Sequence, residues 1–191
     1  MKENEKAVLA MKQFLEALGL DLAKLGMEKT PQRVAAAFEK FFSGLPENPD
    51  DEWKNPIPGQ SDGLVAVRNI RFHSLCEHHL LPFFGRVYIA YYPKAGNIAG
   101  FGHFVHAVDI LARRPQLQER FTNELCQSIS RGLQAKGVLV VVKARHLCMT
   151  MLDKTAIDSD IVTAASAGCL TAGTPAYDQA WKLLMEEEKD G

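Results

Sequence analysis

A Cys-Glu-His-His run and a His-Leu-Cys run, far apart in the chain, carry thiols and imidazoles at the spacing of a metal site. Cysteine and histidine are the side chains that zinc prefers, and zinc binds its ligands as a tetrahedron. Cys76, His79 and Cys148 supply three ligands, which leaves a fourth position for water, as in catalytic zinc sites. His78 and His146 each lie within two residues of a ligand, so they are candidate general acid and base groups. The fold must therefore bring two distant fragments into one pocket.

Size, charge and cysteine content narrow the class of protein. The chain has 191 residues and a formal net charge of -1, which suits one catalytic domain with a helical preamble. This charge gives no reason to expect a nucleic acid or a membrane surface as a partner. The N-terminus has no signal-peptide pattern, and no apolar run approaches the length of a membrane span. Four cysteines without the spacing of a disulfide framework indicate a reducing, cytoplasmic compartment.

The N-terminal third predicts two helices and a linker. Apolar residues recur at three- and four-residue steps over 8–18, which is typical of an amphipathic helix. A second helix is expected to begin at Thr30 and Pro31, an N-cap followed by a first-turn proline, and to end near Gly44. The stretch 45–62 has four prolines and many polar residues, which indicates a loop. We therefore predict a helical arm and linker over 1–62 and a catalytic domain over 63–191.

The rest of the chain predicts strands and helices around the metal ligands. Two β-rich runs, 64–72 and 86–92, flank the first metal-binding fragment, which places that fragment on the connection of an antiparallel hairpin. Two helices, two strands and a last helix are expected at 104–113, 117–133, 138–144, 160–165 and 177–185. Because strand side chains alternate, His146 and Cys148 are expected to extend the third strand and point to the same face.

These motifs together resemble the GTP cyclohydrolase I family from about Thr30 to Gly168. The resemblance is carried by the segments TPQRVAAAFEKFFSG, SLCEHHLLPFFG, ARRPQLQER and ARHLCM. It implies an α+β tunnelling fold, in which an antiparallel β-sheet carries two long helices on one side. It also implies that subunits close their sheets into an oligomeric barrel, a homo-oligomeric decamer with active sites at the subunit interfaces.

The resemblance also implies roles for individual side chains. It assigns the binding of Zn2+ to Cys76, His79 and Cys148, and catalysis to His78 and His146. Gln118 and Glu119 match the residues that hold the guanine ring, where a carboxylate accepts hydrogen bonds from N–H groups of the base. The implied reaction is hydrolysis of a purine imidazole ring at C8. The alternative for the cysteines, a structural zinc site or simple burial, is disfavoured by the two flanking histidines.

The chain departs from the family where the ribose and the triphosphate are held. The family segment Gly-Leu-Ser-Lys-Leu-x-Arg is Gly-Phe-Gly-His-Phe-Val-His here. Gly102, His103 and His106 thus replace a serine, a lysine and an arginine, although a solvated helix face would also explain the two histidines. Leu152 replaces an arginine that follows the HLCM motif, while Arg33 keeps the arginine of the TPQR segment.

Three hypotheses for function follow. Charge-assisted contacts to phosphate are worth about 1.5–3 kcal/mol each, and this chain lacks the permanent cations that would make several of them. We therefore expect a zinc-dependent cyclohydrolase whose guanine-type substrate is not a triphosphate. That substrate is a small-molecule purine: a nucleoside, a nucleotide or a free base. The first alternative is a conventional GTP cyclohydrolase I, which makes 7,8-dihydroneopterin triphosphate and formate for tetrahydrofolate and pterin biosynthesis. The second alternative is a non-catalytic relative that binds a purine or a pterin.

Overall fold

The computed structural model describes residues 3–55, 57, 63–94, 98–152 and 159–186. The chain forms two compact units, Met1–Ser43 and Gly44–Gly191. In the first unit, helix α1 (Glu3–Ala17) packs against helix α2 (Thr30–Phe41), and the side chains of Asn4 and Glu39 hydrogen-bond between them. Both helices were predicted, and Pro31 occupies the first turn of α2 as expected. None of the described helices is long and apolar enough to span a membrane.

The second unit is built on a five-stranded sheet in the order β3-β1-β2-β4-β5. In chain order the strands are β1 (Val65–Cys76), β2 (Pro82–Tyr92), β3 (Pro115–Gln116), β4 (Gly137–His146) and β5 (Ile161–Gly168). Strands β1, β2, β4 and β5 pair antiparallel, and the short β3 pairs parallel with β1. The predicted α+β class is therefore confirmed.

Helices cover the two faces of this sheet unequally. Helices α3 (Phe101–Ala112) and α4 (Gln118–Gly132) pack on one face, where Phe104, Phe121 and Leu125 are fully buried against the sheet. The short helix α5 (Leu147–Thr150) follows β4. Helix α6 (Pro175–Met185) packs on the opposite face against a smaller apolar cluster. The two long helices on one side of the sheet agree with the expected arrangement.

The first metal-binding fragment is more regular than predicted. Strand β1 runs on to Cys76 and β2 begins at Pro82, so only residues 77–81 connect them. Strand β4 ends at His146, and Cys148 lies in α5. The prediction that strand alternation carries both side chains to one face was therefore wrong. A helical turn replaces the strand there, and its hydrogen bond runs from Met151 N to Leu147 O at 2.9 Å.

The stretch predicted as a linker contains a 3₁₀ helix (Pro49–Trp53) that packs against α4. Trp53 is 3% exposed, and its Nε1 donates to Ser128 Oγ at 2.8 Å. A Cβ on Gly132 would lie 2.1 Å from Trp53 Cδ1, so the indole needs glycine there. Trp53 thus fixes the 3₁₀ helix to the second unit, which begins at Gly44. The division into an arm and linker over 1–62 and a catalytic domain over 63–191 stays a prediction. Residues 56 and 58–62 of the predicted linker lie outside the described residues.

Candidate active site

Cys76, His79 and Cys148 form a cluster that can bind a metal ion. One ligand atom from each side chain lies within 4.8 Å of the other two. Cys76 is buried at the end of β1, His79 is exposed in the β1–β2 connection, and Cys148 is half-buried in α5. Three elements thus contribute one ligand each, and the structure brings together the three residues expected to bind metal.

The β1–β2 connection is held in one shape by backbone hydrogen bonds. Leu80 N donates to Cys76 O at 2.8 Å, and Cys76 N donates to Leu81 O at 2.9 Å. Leu80 adopts a φ of 53°, in the left-handed region that a branched residue rarely adopts. Glu77 N donates to Gln116 O at 3.1 Å, which fixes the connection to β3. These bonds position Cys76 and His79 relative to each other before any ion binds.

The donor set fits zinc. Ligand atoms around a tetrahedral zinc ion lie roughly 3.3–3.8 Å apart, so small side-chain movements close this cluster on an ion. Burial and the neighbouring Cys76 raise the pKa of the Cys148 thiol. A divalent cation stabilises the thiolate form of such a ligand, which is the usual coupling between metal binding and proton release. Three protein ligands also leave one position for water.

His146 is the best-fixed histidine beside this cluster. Its ring stacks on Phe83 with centroids 4.6 Å apart and planes at 11°. Its Nε2 lies 2.7 Å from Gln118 Oε1. The other histidine expected to be catalytic, His78, is exposed in the β1–β2 connection, where its ring meets His79 edge-on at 6.3 Å. The two candidate catalytic histidines therefore differ in how firmly the fold holds them.

The hydrogen bonds of Gln118 determine the tautomer of His146. The Nε2 of Gln118 lies 3.0 Å from both Val142 O and Ile161 O and 3.2 Å from Thr163 Oγ1. These acceptors orient the amide so that Oε1 faces the imidazole. An amide oxygen only accepts, so His146 Nε2 must carry the hydrogen. The lone pair of the neutral ring is then on Nδ1.

Electrostatics favour the neutral form of His146. Burial lowers the pKa of His146 below its ordinary value, and the nearby carboxylate of Glu119 opposes part of this shift. Glu119 is exposed in the first turn of α4, directly after the buried Gln118. It borders a cavity of about 410 Å³ whose other wall is β5, at the edge of the sheet. The side chain expected to hold the base is therefore free to meet a ligand.

The histidines that replace the phosphate-binding residues lie against a carboxylate. His103 Nδ1 is 3.0 Å from Glu52 Oε2, and His106 Nδ1 is 3.5 Å from the same oxygen. Glu52 belongs to the 3₁₀ helix that Trp53 fixes to α4. Gly102 occupies the first turn of α3, and a Cβ there would meet nothing within 4 Å. No steric reason therefore requires glycine at that position.

Three neighbours of the candidate site were not found from the sequence: Glu52, Phe83 and Thr163. Glu52 lay in a stretch predicted as a linker, and Phe83 and Thr163 carry no chemistry that a motif would reveal. Only the apolar FF pair after the first metal-binding fragment was a signal, since strand alternation turns one of its members towards the core. Arg33, the remaining expected phosphate ligand, is exposed on α2 in the first unit. Leu152, which replaces an arginine, is exposed after α5.

The comparison with known families agrees with this geometry. A family model described as GTP cyclohydrolase I matches residues 7–184. The chain belongs to the GTP cyclohydrolase I family. It is 43% identical over 183 residues to the GTP cyclohydrolase 1 of Clostridioides difficile (strain 630), which covers 95% of this chain and 96% of that protein. It is 42% identical over 170 residues to the GTP cyclohydrolase 1 of Bacillus subtilis (strain 168), with 88% and 90% covered.

Among solved structures, the archaeosine synthase QueF-Like in the apo form matches at 22% identity and a TM-score of 0.49. That match covers 61% of this chain and 100% of the other.

Membership of the GTP cyclohydrolase I family establishes the class of enzyme. The chain is a hydrolase that acts on cyclic amidine C–N bonds, with the tunnelling fold and a place in pterin biosynthesis. The expected enzyme class is thereby confirmed. The relatives' shared name favours the conventional alternative over the expectation that the substrate lacks a triphosphate.

Proposed function

We propose that this chain is a zinc-dependent GTP cyclohydrolase I that converts GTP to 7,8-dihydroneopterin triphosphate and formate. The single observation that carries the proposal is the convergence of Cys76, His79 and Cys148, with His146 held by Gln118 two residues from a ligand. The relatives of similar length, all named GTP cyclohydrolase 1, support GTP as the substrate. When bound, the zinc ion supplies a Lewis acid that makes water a nucleophile at neutral pH.

His146 is the residue that moves protons at the purine. Its hydrogen on Nε2 is donated to Gln118, so Nδ1 faces the reaction as a base. To protonate the imidazole nitrogen of the substrate, His146 must first take up a proton at Nδ1 and then return it. The lowered pKa of His146 makes the protonated ring a stronger acid, which favours that return. His78 is the candidate for the second proton transfer, on the exposed side.

Glu119 is the proposed recognition residue for guanine. Its carboxylate borders the cavity at the edge of β5 and can accept two hydrogen bonds from the N–H groups of the base. Gln118 was expected to share this task, but its amide is engaged with two backbone carbonyls and His146. We therefore give Gln118 the role of orienting His146, with any direct contact to guanine made through a rearranged amide.

The phosphate end of the substrate is assigned to Arg33, His103 and His106, with Gly102 where the backbone passes the ribose. Active sites at the interfaces of a homo-oligomeric, decameric barrel are part of this proposal. Strand β5 supports it, because within the described residues it pairs only with β4 and leaves its outer edge open.

A guanine-type purine without a triphosphate is the second candidate substrate. The observation that favours it is Glu52, whose carboxylate lies against both histidines. A fixed negative charge at this point repels a polyanion, whereas it does not disturb a nucleoside or a free base.

Formate release by the zinc-loaded protein distinguishes the candidates. GTP, GMP, guanosine and guanine are each supplied as substrate, and pterin fluorescence is measured in parallel. Formate and pterin from GTP support the main proposal. Formate from guanosine or a free base, with GTP inert, overturns it in favour of the second candidate. Absence of formate from every substrate, with zinc bound, would contradict both.

A further inference from the structure

The face of the sheet opposite α3 and α4 carries a second cavity that the proposed reaction does not use. It measures about 540 Å³ and is lined by four permanent cations: Arg71 of β1, Arg86 of β2, and Lys143 and Arg145 of β4. Strand alternation turns these side chains away from the helices, whereas their neighbours Phe72, Val87, Val142 and Ala144 belong to the core beneath α3 and α4. The cavity and the metal cluster therefore lie on different sides of the sheet.

The cations in this cavity are aligned across the strands. Arg71 lies directly opposite Arg86, and Arg86 lies directly opposite Lys143. Like charges in directly opposed positions destabilise a sheet, so the row is unfavourable for folding alone. An anion that bridges the three cations would relieve this repulsion.

Carboxylates within the described chain neutralise little of this charge. Asp160 lines the cavity and lies 2.8 Å from Lys143 Nζ. Its hydrogen bond to Lys143 lowers the pKa of Asp160, with a smaller contribution from the charge of Arg145. Arg71 and Arg86 make no ion pair with any described carboxylate. The centre of the row thus remains positively charged.

Flat rings lie beside the cations. His73 and Phe84 are opposite each other on β1 and β2, and their rings stack at 5.8 Å with planes at 26°. Phe84 is 37% exposed although it is a large apolar side chain, and Tyr88 also lines the cavity. The exposed ring of Phe84 can stack on a planar group, and the clustered arginines can bind an anionic group. The lining therefore suits a ligand that is planar at one end and anionic at the other.

We propose that this cavity is a second ligand site, which binds the triphosphate of a nucleotide or pterin on Arg71, Arg86 and Lys143 and its ring on Phe84. The proposal goes beyond the hydrolytic reaction, since none of the residues assigned to metal, proton transfer or guanine recognition lines this cavity. The recognised chemistry is a polyphosphate ester of a planar heterocycle. Such a site lets the enzyme sense a nucleotide pool or its own product separately from catalysis.

Binding of ATP to the zinc-loaded protein, measured by calorimetry, tests the site, because ATP lacks the N–H edge that Glu119 is proposed to read. The variant Arg71→Gln/Arg86→Gln removes the centre of the row. Lys12→Gln/Lys24→Gln, which removes two exposed lysines from the first unit, is the control with the same change of net charge. We expect ATP affinity to fall about tenfold or more in the arginine variant and to match the wild type in the control.

Activity on the same samples separates this site from the active site. We expect kcat/KM of the arginine variant for its substrate to stay within about twofold of wild type. Equal ATP affinity in wild type and arginine variant would overturn the proposal, as would a loss of kcat/KM in parallel with ATP affinity. In the second case the arginines belong to the catalytic site, and the proposed reaction itself still stands.

Two further measurements complete the test. The first checks that a variant is folded, and the second shows which part of the ligand the cavity binds. Without ligand, Arg86→Gln should leave Tm unchanged or raise it, because the change relieves repulsion between opposed cations; a lower Tm contradicts the argument from register. Phe84→Leu should weaken ATP binding while inorganic triphosphate binds as in wild type. Equal losses for both probes would refute the stacking part of the proposal.

Discussion

Gln118 shows how one buried side chain can set the chemistry of another. It is 2% exposed, and its amide donates towards the backbone of β4 and β5 while its oxygen accepts from His146. One carbonyl of each strand and Nε2 of the imidazole thus share a single polar partner. Removal of the amide takes a donor away from two strand carbonyls and an acceptor away from the imidazole, which costs more than the net value of one hydrogen bond.

We predict that Gln118→Met lowers both stability and turnover. Loss of the hydrogen bonds to the two strand carbonyls should cost about 1–3 kcal/mol of unfolding free energy, measured by urea denaturation. Loss of the bond to His146 should also lower kcat roughly 10–100-fold, since the imidazole loses its fixed tautomer and orientation. The control is Gln127→Met, which replaces an exposed glutamine on the same helix. An unchanged kcat in a folded Gln118 variant would show that His146 needs no orienting partner.

The metal cluster makes a prediction for a single cysteine. We expect Cys148→Ala to abolish zinc retention and activity together, because only two protein ligands remain and structural integrity of the site is lost. Zinc content by atomic absorption is read alongside formate release, with the exposed Cys169→Ala as the matched control. Wild-type turnover by a zinc-free Cys148 variant would remove the basis of the proposed mechanism.

Three of the four cysteines should also differ in reactivity. Burial raises the pKa of Cys126 to about 11, so its thiolate is scarce at pH 8 and we expect it to resist alkylation in the folded protein. Cys169 is exposed and should react at once. Cys148 should react only after a chelator removes zinc, since a coordinated thiolate is protected. Mass spectrometry of peptides after iodoacetamide treatment tests the order, and equal labelling of Cys148 with and without chelator contradicts metal binding there.

At the scale of elements, the 3₁₀ helix depends on a close approach to α4. Gly132→Ala would push a methyl group into Trp53, so we predict a loss of roughly 1–3 kcal/mol of unfolding free energy. Gly102→Ala is the matched control, because that position is open and helical; it should be neutral or stabilising by about 0.5–1 kcal/mol. If Gly132→Ala and Gly102→Ala change the free energy of unfolding equally in urea denaturation, the indole moves aside without cost.

The same 3₁₀ helix places Glu52 against His103 and His106, which we assign to the phosphates, and this leads to a prediction about restored cations. His103→Lys/His106→Arg alone should lower KM for GTP only slightly, because Glu52 pairs with the new cations. Addition of Glu52→Gln should lower KM for GTP by about tenfold and leave KM for guanosine unchanged. The idea fails if the triple variant is no better than the double variant.

Sequence patterns predicted some elements well and others poorly, for physical reasons. The four-residue apolar spacing predicted α4 closely, since one helix face is buried along its length. The position of Cys148 was misjudged because the chain turns into α5 directly after His146, where no proline or glycine marks the change. The contact of Glu52 with two histidines depends on the docking of Trp53, which no local pattern contains. The metal ligands were found because their chemistry is local to two short motifs.

At the scale of the whole molecule, the proposed function assigns roles to residues of both units. The metal cluster belongs to the second unit, while Arg33, which is assigned to the phosphates, belongs to the first. If the proposed homo-oligomer has active sites at its interfaces, Arg33 of one subunit would serve the metal cluster of a neighbour. This arrangement can be tested by mixing subunits, because a site then needs one intact residue from each of two chains.

We predict that two inactive variants, Arg33→Ala and Cys148→Ala, restore activity when they are denatured together and refolded as mixed oligomers. Random assortment of equal amounts gives an intact Cys148 next to a neighbour's intact Arg33 at about one site in four, so specific activity should reach about a quarter of wild type. Each variant refolded alone is the control and should stay inactive. If the mixture is no more active than the sum of its parts, Arg33 and the metal cluster act within one chain, and the assignment of the site to a subunit interface is wrong.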